Sequence, residues 1–365
     1  MKPLISVIIP NRNGSTTIGK CLEAVFSSRY ENLEVIVVDD CSEDNSVEII
    51  KRFPCRLIQL NKPSGASKAR NIGASKSRGN ILFFIDADCL IREDTLSIVT
   101  KNIKEKGQDV VIGGTYTRKP HDSGFFSLFQ SIFINYSETK RPDSPDYIAT
   151  HAMAIDAETL RKSGGFLDNF LPILEDVELS HRLRRSGLKL TINPSIIVEH
   201  IFNFSLISSI RNAIKKSMYW TIYSIRNKDL TSDSGTASLE LKANVVTQFL
   251  SLVAIILWAV LKKPFILYPL PLFLIFNIYM NRNLFKAFYE TGGAFFSFFA
   301  FIYYTTAYAI AVGAGASAGI FRHYLKGFYR LIHPLKPHPI NKVLHSTIAE
   351  ERKDILRFEE GKGIE

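Results

Sequence analysis

Acidic residues are missing from two long stretches of this 365-residue chain. Positions 201–228 carry none, although they hold Arg211, Lys215, Lys216, Arg226 and Lys228, and positions 291–349 carry none either. Basic, acid-free segments beside apolar ones suit an anionic membrane surface better than nucleic acid, with a solvated basic face as the plainer alternative. Cysteine is also scarce: Cys21, Cys41, Cys55 and Cys89 are the whole complement. Their spacing forms no CxxC or CxxxH pattern, which excludes a zinc-finger type of site and a disulfide framework, and they read as reduced thiols on the cytosolic side. No secretory signal is expected, because Leu4–Pro10 is too short for its apolar core and Asn11-Arg12-Asn13-Gly14 ends it with turn chemistry. No internal repeat is visible.

What is present divides in two. Apolar residues make up 46% of the chain and the net charge is +10, but both are unevenly spread. The first hundred residues alternate strand and helix. LISVII (4–9), EVIVV (34–38), Arg56–Leu60 and ILFFI (81–85) read as strands. Thr16–Ser28, Ser46–Arg52 and Ala66–Ser77 read as helices, the first from apolar Ile18, Cys21, Leu22, Val25 and Phe26 at helical spacing. Such alternation implies an α/β fold with a mostly parallel sheet covered on both faces. The middle is less regular, with Gly113-Gly114, a polar loop at 140–146, Gly164-Gly165-Phe166, a helix from about Leu179 to Ser186 stopped by Gly187, and a strand at Ile196–Val198.

Beyond residue 200 the pattern changes. Leu206, Ile210, Ile214, Met218 and Ile222 recur every four residues with basic residues between them, which predicts an amphipathic helix over 201–230 lying in a membrane interface. Three apolar runs follow within 244–320: Val245–Leu261, Phe265–Met280 and Ala294–Ile320, each near the ~20 residues that cross a bilayer. A basic, partly mobile tail is expected over 321–365. Three crossings would put that tail outside, against the positive-inside tendency, whereas two crossings or a re-entrant pair would keep it in the cytoplasm. The expected location is a prokaryotic plasma membrane, with the domain at 1–200 in the cytoplasm.

In α/β sheets ligands bind beyond the carboxyl ends of the strands. Two acidic pairs stand there. Asp86-x-Asp88 follows ILFFI, where two carboxylates can share a hard divalent cation such as Mg²⁺ or Mn²⁺ together with phosphate. Asp39-Asp40 follows EVIVV, where one acid can bind a nucleoside while the other caps a helix or turn. Glu175-Asp176 offers a general base, which an acceptor hydroxyl would need in order to attack. His200 sits at a strand end, either as a metal or phosphate contact or as a structural histidine.

The segments SVIIPNRNG, EVIVVDDCSEDNS, GASKARNIGASKSRGNILFFIDAD, SGGF and LEDVELSHRLRRSG resemble, in order and spacing, the inverting family 2 glycosyltransferases of GT-A fold. The resemblance spans roughly residues 4–230. It implies a nucleotide-sugar donor, usually a uridine diphosphate sugar, with Pro10 and Asn13 in the donor loop and Asp39 or Asp40 on the base. It implies Arg70 near the diphosphate or donor sugar, Asp88 as principal metal ligand with Asp86 beside the ribose or metal, and Asp176, the second acid of the Glu175-Asp176 pair, as the base. Gly164, Gly165 and Phe166 would lie on the acceptor side. Lys215, Lys216 and Trp220 fall where similar enzymes carry a basic-aromatic stretch, so they either meet the diphosphate and acceptor or anchor the interface. Two departures stand out: Arg12 replaces the usual residue of the opening motif, and no QxxRW follows the acidic pair. The second implies single addition rather than processive synthesis. The expected activity is transfer of one sugar to a hydroxyl of a lipid-linked glycan or glycolipid. A polyprenyl-phosphate sugar synthase and a non-enzymatic membrane scaffold are the alternatives.

Overall fold

The computed structural model describes residues 2–107, 109–168 and 171–332, with side chains to Leu325. The chain divides into two units, 1–319 and 320–365; of the second, residues up to 332 are helical and the rest lie outside the described residues, as does most of the expected tail. The strands are β1 (Ile5–Asn11), β2 (Leu33–Asp39), β3 (Arg56–Gln59), β4 (Ile81–Phe84), β5 (Cys89–Ile91), β6 (Val110–Tyr116), β7 (Met153–Asp156) and β8 (Lys189–His200). They form one sheet in the order β3-β2-β1-β4-β7-β6-β8-β5. β3, β2, β1 and β4 run parallel, as the strand–helix alternation demands, whereas β7 is antiparallel to both β4 and β6. The sheet is therefore mixed.

The sheet is buried on both faces, so β1 reads as a continuous apolar run. Ile5, Val7 and Ile9 pack towards Ile18, Cys21, Leu22 and Val25 of α1 (Ile18–Phe26), while Ile8 faces the other core with Leu179 and Leu183 of α7 (Glu175–Arg185). α2 (Ser46–Ile50), α3 (Ala66–Lys76), α4 (Thr95–Lys106), α5 (Phe125–Thr139) and α6 (Ala157–Lys162) complete the layers. The acidic helix α7 starts at Glu175, four residues earlier than its apolar pattern indicates, because Leu174 turns through a left-handed φ of 75° and three acids then fill the first turn. Negative charge is favourable there.

The C-terminal third departs further from expectation. α8 (Leu206–Asn227) is a helix as the four-residue repeat predicts, but its apolar face is not free. Ile210 and Ile214 pack on the main core, Met218 and Ile222 on a second cluster, and only Leu206 and Ile207 of the large apolar residues are well exposed. α9 (Leu239–Leu261) and α10 (Pro269–Met280) form an apolar hairpin around Lys262-Lys263-Pro264. α11 (Arg282–Tyr303) is broken at Gly293 (φ 78°), and one wide turn at Tyr304–Tyr308 leads into α12 (Ala309–Ile332). Two helices are long and apolar enough to cross a membrane, Leu239–Leu261 and Arg282–Leu325, while Pro264–Met280 is shorter. The expectation of three similar runs is corrected: the second is short, and the last is half buried inside the protein.

Candidate active site

A cavity of about 640 Å³ opens at the carboxyl ends of β1, β2 and β4. That volume suits a nucleotide-sized ligand. Pro10, Asn11, Arg12, Asn13 and Gly14 line one side, Asp40, Gly65, Ala66 and Arg70 another, and Asp86 and Asp88 a third. The loops after β1 and β2 are laced together. Asn11 Nδ2 donates to Asp39 Oδ1 at 2.8 Å, the Asn13 amide donates to Ser42 Oγ at 2.8 Å, and Asn13 Oδ1 accepts from the Glu43 amide at 2.8 Å. Ser15 N–H donates to Asp44, whose carboxyl falls to about 2 because the hydroxyl and amide donors of Ser46 and Ser15 outweigh its desolvation.

The two residues of the Asp39-Asp40 pair part company. Asp39 also accepts from Ser42 Oγ and the Ser42 amide, at 2.6 and 3.0 Å, is 2% exposed and does not line the cavity. Asp40 lines it while holding the Ser64 and Gly65 amides at 2.6 and 2.9 Å. As an internal brace, Asp39 is the loop-capping member of the pair.

Arg70 joins the two acidic motifs. Nη2 donates to Asp86 Oδ1 and Nη1 to Glu175 Oε1, both at 2.7 Å, and its side chain is 4% exposed. Burial opposes its charge, but Asp86 and Glu175 together more than offset this and raise its pKa. Its guanidinium lies 5.7 Å from the Phe166 ring centre, and Phe166 in turn meets Phe84 edge-on at 5.3 Å. Phe166 is thus a buried platform under Arg70, not an acceptor-facing side chain.

The Gly164-Gly165 turn holds that platform. Both glycines have left-handed φ, 81° and 69°. Asn71, next to Arg70 on α3, donates to the Phe166 carbonyl and accepts from its amide, at 2.7 and 2.9 Å. Arg182 of α7 reaches back to the Ser163 and Gly165 carbonyls. A Cβ on Gly165 would stand 2.5 Å from Asn71 Oδ1. Gly165→Ala is therefore expected to cost about 2 kcal/mol or more, from the left-handed φ plus the displaced Asn71. Chemical denaturation of the full chain measures it.

Asp88 and His200 meet at the cavity's edge. β5 pairs with β8 so that Cys89 faces His200, which brings His200 Nε2 to 3.5 Å from Asp88 Oδ2. Burial lowers the His200 pKa to about 3, so the imidazole is neutral. Its ring stacks on Phe202 at 3.9 Å and its buried Nδ1 has no hydrogen-bond partner among the described residues. Burial, then Asp86, raises Asp88 to about 6. Asp88, Cys89 and His200 each offer a ligand atom within 4.8 Å of the others. Burial and the nearby Asp88 keep the Cys89 thiol protonated, so a carboxylate and a neutral imidazole are the usable donors, and they fit a divalent cation. Asp86 stands outside that cluster, committed on Oδ1 to Arg70.

Asp176 lies beside Glu175 at the start of α7. Burial, then Glu175, raises its carboxyl to about 6. A base poised near neutral pH is what proton abstraction from a hydroxyl requires. Behind the site lies a feature the sequence did not flag. His151 sits in a tight turn, Thr150–Ala152, just before β7, and its charge helps hold the Asp86 carboxyl low. His151 is 5% exposed, stacks on Tyr116 at 4.0 Å and places Nε2 3.5 Å from Glu138 Oε1.

Not every expected site residue lines the cavity. Glu175 and His200 reach its lining only through Arg70 and Asp88, and Asp176 lies beside Glu175. Lys215 and Lys216 are exposed on α8, although Lys216 is near enough to His200 to help lower its pKa. Trp220 is 9% exposed in a cluster with Leu174, Val177 and Tyr223, where it packs behind the start of α7. Arg12 does line the cavity and has no acidic partner among the described residues.

Comparison with known proteins agrees with this geometry. Residues 6–160 match the model of Glycosyl transferase family 2. Glycosyltransferase GlyG of Streptococcus pneumoniae is 34% identical over 131 residues, 34% of this chain and 44% of that protein. Glycosyltransferase AglE of Haloferax volcanii is 30% identical over 205 residues, 54% of this chain and 67% of that protein. The chain thus spans less than half the length of GlyG, and it covers 20% of the related S. pneumoniae glycosyltransferase GlyA. Among solved structures, mannosyltransferase PcManGT from Pyrobaculum calidifontis, in complex with GDP-Man and Mn²⁺, superposes with a TM-score of 0.55 over 88% of each chain at 15% identity, a likeness of fold. With two thirds of AglE covered at 30% identity and the family model matched over 6–160, the chain belongs to glycosyl transferase family 2.

Proposed function

We propose that the chain is a membrane-bound, inverting transferase that moves one sugar from a nucleoside-diphosphate sugar to a hydroxyl of a lipid-linked glycan or glycolipid. The observation that carries this reading is the cavity itself, which sets Asp86-x-Asp88 on its wall and, through Arg70, ties it to Glu175-Asp176.

The charge of the cavity supports metal dependence. Its lining includes three carboxylates, Asp40, Asp86 and Asp88, against two guanidiniums, Arg12 and Arg70. Three negative and two positive charges leave −1, which repels a diphosphate. Asp88 and His200 would hold Mg²⁺ or Mn²⁺. Such an ion, when bound, neutralises the departing diphosphate as a Lewis acid.

The protein's own residues supply the rest. Pro10, Asn13 and Asp40 would frame the nucleoside, and Arg12, the unpaired cation of the cavity, would meet phosphate. Arg70 keeps Asp86 and Glu175 fixed relative to each other. Asp176 takes the proton from the acceptor hydroxyl as its oxygen attacks the anomeric carbon opposite the leaving group. Direct displacement of this kind inverts the centre and needs a single base, unlike the carboxylate pair of a hydrolase. A base near pKa 6 favours a hydroxyl acceptor over a phosphate, which is already ionised.

Chelation tests the metal. Activity is expected to vanish in excess chelator and return with Mn²⁺ or Mg²⁺, and Asp88→Asn is expected to lose at least about 100-fold, the scale of a single electrostatic contact to developing charge. Full activity in chelator overturns the metal assignment.

A further inference from the structure

The apolar helices do not all meet their surroundings alike. α9 is only 11% buried over its most apolar window, and beyond Thr247 its large side chains, from Phe249 to Leu261, are exposed. Apart from Ser251, its polar groups lie within 239–248. Thr247 Oγ1 donates to Asn277 Oδ1 at 3.0 Å and Asn281 Nδ2 to Asn244 Oδ1 at 2.8 Å, a buried clamp between α9 and α10. Cation–aromatic pairs stand at both ends of the hairpin: Lys262 over Trp258 at the tip and Arg282 over Tyr279 at the base, 5.6 and 4.5 Å from the ring centres. Basic and aromatic residues in that arrangement mark the boundary between lipid and water.

The last apolar run is different. Its inner face is core of the catalytic unit. Phe296, Tyr303, Tyr304 and Tyr308 pack against Phe125, Phe129 and Phe133 of α5, and Tyr303 Oη donates to Ser209 of α8 at 2.9 Å. Further on, the glycines of α12 press on the backbone of α8. A Cβ on Gly315 would collide with the Ile214 carbonyl, and one on Gly319 would sit 2.6 Å from the Met218 carbonyl, while Ser217 Oγ donates to the Val312 carbonyl at 2.7 Å. The outer face is a stripe at helical spacing, Phe295, Phe298, Phe299, Ile302 and Ile310, all exposed. A helix whose inner half is sealed along its length to α5 and α8 has one side free for lipid and no path through a bilayer.

We propose that α11–α12 lies in the plane of an anionic bilayer surface, its outer stripe in the acyl boundary, and that the α9–α10 hairpin alone inserts deeply. Exposed Arg211 and Lys215, one turn apart on acid-free α8, complement the anionic headgroups. This rests on the membrane-bound part of the proposed function and replaces the crossing expected at 294–320. It puts the lip of the cavity, formed by Ile201–Asn203 just before α8, close to the lipid plane from which a lipid-linked acceptor would enter.

Depth measurement tests it. Phe295→Cys, Ile302→Cys and Ile310→Cys are made singly in the full chain carrying Cys41→Ser and Cys55→Ser, and each is labelled with an environment-sensitive fluorophore. Vesicles of phosphatidylethanolamine and phosphatidylglycerol carry lipids brominated near the headgroup, mid-chain or at the chain end. The three labels are expected at one shallow depth, about 5–10 Å below the headgroups. A change in depth of ~22 Å from the first to the third, the rise of a crossing helix, overturns the proposal, as does the absence of quenching at all three. Co-pelleting with the same vesicles is read in parallel. Loss of pelleting would overturn the membrane-bound reading itself, whereas pelleting with spread depths overturns only the in-plane placement.

Discussion

Asp176→Asn is expected to lower sugar transfer by about 10²–10⁴-fold while leaving the donor KM within about twofold, because the amide keeps the shape of the base and cannot take a proton. The pH dependence follows from the same residue. Burial and Glu175 raise Asp176 to about 6, and only its ionised form is a base. Activity of the parent is therefore expected to fall about tenfold per pH unit below 6 and to level off above it, an acid limb missing from the residual activity of the variant. Stability runs the other way. A carboxyl whose folded pKa is raised adds stability below its unfolded pKa and loses it as pH rises through about 6. Asp176→Asn is thus expected to be more stable than the parent at pH 8 and no more stable at pH 4. A variant that transfers sugar normally would remove Asp176 from the base role.

Arg70→Met is expected to be the most destabilising single change in the site. It strands Glu175, whose side chain is 13% exposed, and leaves Asp86 without its partner. Breaking a buried pair from one side costs about 3–5 kcal/mol. The lower end applies here, since Asp86 is one-third exposed and water screens part of the loss. Arg70→Lys should recover little, because an ammonium cannot present two donors in the guanidinium's planar fork. Adding Glu175→Gln to Arg70→Met should restore part of the stability by removing the stranded charge, and none of the activity. Equilibrium denaturation of the three proteins measures this. Arg70→Met with parental stability would mean that the two acidic motifs are held together by something else.

The α/β half of the chain was legible because its signals are local. β1, β2 and β4 are short apolar runs, and both acidic pairs stand where such a run stops, whereas the three-residue β5 gives no such signal. The motifs also named Arg70, Asp86, Asp88, Asp176 and His200 before their neighbours were known. What escaped were relations set by distant parts of the chain. Asp39 and Asp40 look alike in sequence, and only Asn11 and Ser42, folded against Asp39, make it a brace. Phe166 and Trp220 are placed near the acceptor by their motifs, yet Phe166 meets Phe84 of β4 and Trp220 packs with Leu174 and Val177 at the start of α7. Arg70 lines the cavity as the motif implies, but its tie to Glu175, 105 positions away, is invisible in sequence. The apolar run at 294–320 shows no polar face because both of its faces are apolar, one against aromatic core and one outward. Periodicity cannot separate those two environments.

The central claim is sugar transfer from a nucleotide donor at this cavity, and release of nucleoside diphosphate tests it most directly. The full chain, in vesicles with a lipid extract as acceptor source and with Mn²⁺ present, is offered a panel of uridine, guanosine and thymidine diphosphate sugars. At least one donor is expected to be consumed, with its sugar recovered in a lipid-extractable product and with both signals lost in Asp88→Asn and Asp176→Asn. Folded, vesicle-bound protein that consumes no donor in the panel, or that consumes one equally well in both variants, would contradict the account.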